Sequence, residues 1–204
     1  GAAPLTIDVD EGILALTGII SGAGGITKNG DGLLILRAAN TYTGVTTINS
    51  GMILDIPLVN DGAVLGSITA GNGTIVNAGG TLAFGPDTLG SGAIANPAEL
   101  ITITGDGFRN NGALRFFLGS NSMTFNGVVT LGSASRIQAD QGVGTFTLSG
   151  AMTVDHALKV GGVGFVSFTG AITGSSDITH YVLSGFRMQS TAVGQNYSGT
   201  LNSV

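Results

Sequence analysis

Between Gly25 and Leu54 the chain never holds one direction for more than a few residues. Short aliphatic and β-branched runs (Leu33 to Leu36, Val45 to Ile48, Met52 to Leu54) alternate with clusters of turn-forming residues. The turns are Asn29-Gly30-Asp31-Gly32, Ala39-Asn40-Thr41-Tyr42-Thr43-Gly44 and Asn49-Ser50-Gly51. Gly and Asn accept the backbone angles of tight corners, while β-branched residues suit extended, half-buried segments, so this pattern predicts a chain that stacks coil upon coil. Echoes elsewhere agree. Leu16-Thr17-Gly18-Ile19-Ile20 returns as Leu148-Ser149-Gly150-Ala151-Met152 and again as Phe168-Thr169-Gly170-Ala171-Ile172. Gly150 and Gly170 stand one solenoid coil apart in sequence. No segment has a helical apolar period; Ala93 to Leu100 alone is compatible with a helical turn, and Pro97 limits it. The class is all-β, and self-similar phrases at coil spacing favour a parallel β-helix over a sandwich, whose turns come about every 8–12 residues.

Composition narrows the function classes. The chain has 204 residues, 43% hydrophobic and only 9% charged, which is incompatible with disorder and enough for one domain with a substantial core. Its 36 glycines show no every-third-residue period, so it is no collagen. Seven scattered Lys and Arg and a net charge of −5 supply no basic face for nucleic acid. Cysteine is absent, in keeping with a disulfide-free extracellular protein, though a cytosolic one would also pass. No apolar run reaches the ~18 residues of a membrane helix, and Gly1 to Leu16 lacks a signal-peptide pattern, so an exported protein is expected here as a mature piece.

The organising stretch closely resembles the autotransporter-associated β-strand repeat of bacterial autotransporter passenger domains. The resemblance is carried by Thr27-Lys28, Gly30, Gly32, Leu34, Leu36, Asn40-Thr41-Tyr42, Gly44, Thr46, Ile48 and Gly51. It departs at Leu33 and at Arg37-Ala38. A degenerate second copy is expected near the end, with Gly174 to Thr179 matching Gly22 to Thr27, and Asn196, Tyr197 and Gly199 matching Asn40, Tyr42 and Gly44. The expected organisation is one domain, 1–204, a right-handed parallel β-helix with repeat-like segments at 22–54 and 174–200 and an irregular loop at 85–98 bracketed by Pro86 and Pro97.

In such a helix Leu34 and Leu36, Leu82 and Phe84, Phe146 and Leu148, and Phe165 to Phe168 are expected to stack inward. Thr, Ser and Asn are expected outward, Thr46 included, with corner Asn residues bonding the neighbouring coil. Tyr42 and Tyr197 are expected to pack on the next coil, with a sugar-stacking platform as the alternative.

Chemistry-bearing constellations are sparse. The 12 acids form one local cluster, Asp8, Asp10 and Glu11, either a solvated strand end or a set of oxygen ligands for calcium. Gly161 to Val166 resembles a calcium-binding nonapeptide, but Val166 stands where the liganding Asp belongs. His156 and His180 have neither ligand spacing nor a serine elbow beside them. Gly90-Ser91-Gly92-Ala93-Ile94-Ala95 matches a dinucleotide pattern without the strand and helix that pattern needs. No catalytic, cofactor or metal residue is assigned.

What the resemblance implies is a structural, non-enzymatic stalk or filament segment of a bacterial surface or secreted protein, exported through the outer membrane. The chain is expected to associate with itself end to end through its terminal strands, with Leu5 and Ile7 at one end and Tyr197, Leu201 and Val204 at the other. The alternative is an adhesin or a glycan-binding or glycan-processing module on the same scaffold, with a host or matrix glycan as partner.

Overall fold

The computed structural model describes residues 1–55, 65–66, 72–85, 94–96, 99–117, 122–140, 144–181, 186–188 and 193–203. The strands are short, and all their pairings are parallel between successive coils. Backbone hydrogen bonds therefore run along the stacking axis, each coil about 4.8 Å above the last. The architecture is a parallel β-solenoid.

Strands stack on three faces. The first holds, in order, Leu5–Asp8, Ile26–Asn29, Thr46–Asp55, Thr74–Phe84, Ile101–Gly105, Val129–Asp140, Met152–Val154, Ile172–Gly174 and Val193–Tyr197. The second begins with Ile13–Leu16 and Leu33–Leu36. It continues through the far halves of the longest strands, which turn the corner without a break, and through Leu114–Phe117, Leu158–Gly162, Ile178–His180 and Leu201–Ser203. The third stacks Ile94–Asn96, Met123–Phe125, Thr145–Leu148, Phe165–Phe168 and Phe186–Met188. Within the expected loop 85–98, Ile94–Asn96 is thus a strand of a regular face, where a helical turn had been compatible; residues 86–93 and 97–98 lie outside the described residues.

Register turns the two-residue period of strands into columns. On the first face Ile26, Thr46, Thr74, Ile101, Val129, Met152 and Ile172 lie one above another, all buried. Two residues along, Ile7, Lys28, Ile48, Val76 and Ile103 do the same. On the second face Leu36, Asp55, Phe84, Phe116 and Ala139 form a column. Phe84 stacks on Phe116, Phe116 on Phe146, and Phe125 tilts against Phe84, so aromatic rings fill the interior where the faces converge. Leu34, Leu36, Leu82, Phe84, Phe146, Leu148 and Phe168 are buried as expected, while Phe165 is half-buried.

One expectation needs correction, and the asparagine bonds between coils go further than expected. Thr46, Thr74, Thr81, Ser135 and Ser167 are buried, so hydroxyls are not confined to the outer surface. Corner asparagines bond to one another as well as to backbone. Asn49 Nδ2 donates to Asn29 Oδ1 (2.8 Å), Asn77 Nδ2 to Asn49 Oδ1 (2.7 Å), and Asn29 Nδ2 to Asp8 Oδ1 (2.7 Å). Side-chain amides carry both a donor and an acceptor, which lets them chain from coil to coil, and Asp8 begins the chain as an acceptor.

Candidate functional site

The repeat Ile26 to Leu54 assembles two polar devices around its aliphatic core. The first is at the corner after Ile26–Asn29. Alternation puts Lys28 on the same face as Ile26, and the side chain is fully buried, between Ile7 below and Ile48 above. Its Nζ donates to the carbonyls of Asn29 (2.7 Å), Gly30 (2.7 Å) and, on the next coil, Ser50 (3.3 Å). An ammonium has three protons and no acceptor, so three carbonyls satisfy it. Burial lowers its pKa, while Asp31, Asp8 and Asp10 pull it back up. Gly51 closes over this corner with φ 66°; a Cβ there would collide with the carbonyl oxygens of Gly30 and Gly32 and crowd the Lys28 ammonium. Lys28, Gly30, Gly32 and Gly51 therefore form one unit, a cation clamped among turn carbonyls.

The second device lies between Leu33–Leu36 and Thr46–Asp55. Asn40 is buried, and its Oδ1 accepts from the Ile20 backbone N–H of the coil below (2.7 Å). Tyr42 is buried, its hydroxyl 2.5 Å from Thr46 Oγ1, and Gly66 of the following coil lies against its ring. Tyr42 thus packs on the next coil as expected. A Cβ on Gly44 would collide with the backbone of Gly24 and Gly25, so Gly44 sets the close approach of these two coils.

Above Tyr42 the core turns polar. Thr74, directly over Thr46, donates to Glu99 Oε1 (2.8 Å). Glu99 is 7% exposed, and burial raises its carboxyl to about 7 despite that hydrogen bond. Asp55 is 1% exposed between Leu36 and Phe84; burial, and secondarily the charge of Glu99, hold it well above the usual carboxylate range. Burial likewise raises Tyr42. Asp55 was legible, since it continues the inward alternation of Ile53; Glu99, just after Pro97, carried no periodic signal.

On the outside, a groove of about 470 Å³ crosses successive coils. Asp10, Glu11 and Asp31 line one side; Leu33 and Met52 are among its apolar residues, and Phe108 and Arg109 stand on the other side. The 3-10 turn Phe108–Asn110 is tied down: Phe108 N donates to Thr81 Oγ1 (2.9 Å), Thr81 Oγ1 donates to Gly112 O (2.8 Å), and Arg136 Nη1 donates to Asn110 O (3.0 Å). Lys159 pairs with Asp106 at its base (2.8 Å). The Arg109 guanidinium lies over the Phe108 ring. Nothing in the two-residue or coil-length patterns of the sequence pointed to this groove.

Comparison with known proteins bears on the repeat. Residues 26–54 match the passenger-associated-transport-repeat family. Over 218 aligned residues, covering 98% of this chain, the sequence is 33% identical to the adhesin BmaC autotransporter of Brucella suis biovar 1 (strain 1330). The chain is an autotransporter passenger-like repeat protein. It spans only 6% of the length of that relative. No solved structure matches it.

The passenger repeat matched at 26–54 is not copied at the chain's end in the way the phrases suggested. Ile26 lies on the first face, whereas Ile178, its supposed counterpart, pairs with Leu158 and Leu201 on the second. Tyr42 precedes the first-face strand, whereas Tyr197 ends one. Tyr197 is half-buried, and its hydroxyl donates to Ser176 O of the coil below (3.0 Å), beside Gly199; burial, with Asp177 nearby, raises it. Asn196 lies in the same strand. The similar phrases serve different corners, because a Gly- and Asn-rich turn followed by an aliphatic strand is needed at every face.

Among the assembly candidates, Ile7 is buried, Leu5 and Leu201 are half-exposed, and Val204 lies outside the described residues. Asp8, Asp10 and Glu11 are exposed, and among the described residues no group of three or more His, Asp or Glu could hold a metal. His156 is exposed and His180 half-buried; positions 90–93 of the dinucleotide-like pattern lie outside the described residues. Among the described residues no helix is long and apolar enough to cross a membrane, which says nothing of strands.

Proposed function

We propose that this chain is a length of rigid solenoid in a bacterial surface or secreted protein, exported through the outer membrane, whose work is structural and non-enzymatic. The observation that carries this reading is where the repeat spends its residues. Lys28, Leu34, Leu36, Asn40, Tyr42 and Thr46 are all buried, and each polar one bonds within its own coil or to a neighbour. A motif kept for recognition would display side chains; this one hides them in coil-to-coil contacts. Stacking extends beyond the described strands in this proposal, either onto further coils of one polypeptide or onto a second copy. The exposed apolar residues of the first coil (Ile13 at 69%, Ile19 at 67%, Leu5 and Leu14) support it, as does similarity to a far longer relative. Electron microscopy of native material tests it: rods or fibres longer than one chain are expected, and compact monodisperse particles overturn it.

The groove supports a second reading, adhesion, in which an aromatic ring and carboxylates receive a host or matrix glycan. Its lining agrees with a sugar-binding cleft, since Asp10, Glu11, Asp31 and Arg109 offer hydrogen-bonding groups beside the Phe108 ring. Binding to arrayed glycans that is lost in Phe108→Ala and Asp31→Asn supports it; a bare array removes it.

A further inference from the structure

We propose that Asp55 and Glu99 make the middle coils a proton-dependent latch, closed when both carboxyls are protonated and loosened when they ionise. The argument begins with place. Asp55 occupies an inward column flanked by Leu36 and Phe84, and Glu99 lies above the paired threonines Thr46 and Thr74. Both are more than nine-tenths buried, and Asp55 Oδ1 has no hydrogen-bond partner among the described residues. A carboxylate in such surroundings demands a counter-ion or several donors. Among the described residues Glu99 has one hydroxyl, from Thr74, and the titratable groups facing the pair are the other carboxyl and the neutral Tyr42 phenol. Lys28, the buried cation among the described residues, spends its protons on three carbonyls at another corner. The neutral acid form fits; two anions in one core do not.

The direction of the pH effect follows. Both carboxyls bind protons more tightly folded than unfolded, so folding takes up protons and stability falls as pH rises. For Glu99 the loss runs from about pH 4.5 to about pH 7, and Asp55 extends it. Ionisation of Glu99 alone lowers the folding equilibrium constant roughly a hundredfold over that window.

Urea unfolding of the full chain at pH 5 and pH 8 tests this, beside the double variant Asp55→Asn, Glu99→Gln. The parent is expected to show a lower midpoint at pH 8, and the double variant a much smaller difference. Equal midpoints for the parent, or an undiminished difference in the double variant, overturn the proposal. Hydrogen exchange covers the case in which the double variant fails to fold. Raising the pH, after correction for intrinsic rates, should weaken protection in Thr46–Asp55 and Thr74–Phe84 while sparing Phe165–Phe168. Uniform loss over all three segments, or loss at none, also defeats the idea.

Discussion

Lys28 shows how one residue can read differently in sequence and in space. In sequence it is only one residue of the repeat motif, yet its ammonium is the bolt between two coils. Replacing it by Met keeps the volume and strips three carbonyls of a charged donor, so Lys28→Met is expected to cost about 2 kcal/mol in urea unfolding at pH 5. Gly51→Ala attacks the same unit through backbone strain and a collision with two carbonyl oxygens, and should cost at least as much. Thr46 separates hydroxyl from methyl. Thr46→Val leaves the Tyr42 hydroxyl without its partner and is expected to cost about 1–3 kcal/mol, whereas Thr46→Ser loses one buried methyl, about 1 kcal/mol. If Val proves milder than Ser, the Tyr42–Thr46 bond contributes nothing.

At the scale of strands, the inward columns were legible because a two-residue period leaves little choice: Leu34 and Leu36 point one way, and burial makes that way the core. Leu36→Asp, placed beside Asp55 in the same column, is expected to cost several kcal/mol, or to prevent folding at neutral pH, as seen by loss of the cooperative far-ultraviolet transition. The class of fold was legible for the same reason, through turns at every coil. Face assignment was not. Ile26 and Ile178 sit in near-identical phrases yet belong to different faces, since local sequence states that a corner occurs but not which corner it is. The groove was hidden too, because its walls come from coils far apart in sequence: Asp10 and Asp31 on one side, Phe108 on the other. Burial of Thr46 was hidden by its chemistry, since a threonine is assigned inward only once a partner such as Tyr42 is known.

For the whole molecule the determining fact is that among the described residues each strand pairs one coil away. Stability is then a sum of neighbour terms, and the separation of contacting residues does not grow as coils are added. A lengthened chain is therefore expected to start folding about as fast as a short one, which stopped-flow refolding of tandem copies would check; a rate falling steeply with copy number would contradict it. The axial direction of the backbone hydrogen bonds has a mechanical meaning as well. Tension between the two ends of the stack loads those bonds along their length and a few at a time, so the solenoid yields by peeling single coils at modest force instead of failing as one block. In the stalk role proposed above, such a solenoid would lengthen in steps and dissipate a pull, and ionisation of the buried Asp55 and Glu99 would lower the force needed to open their coils.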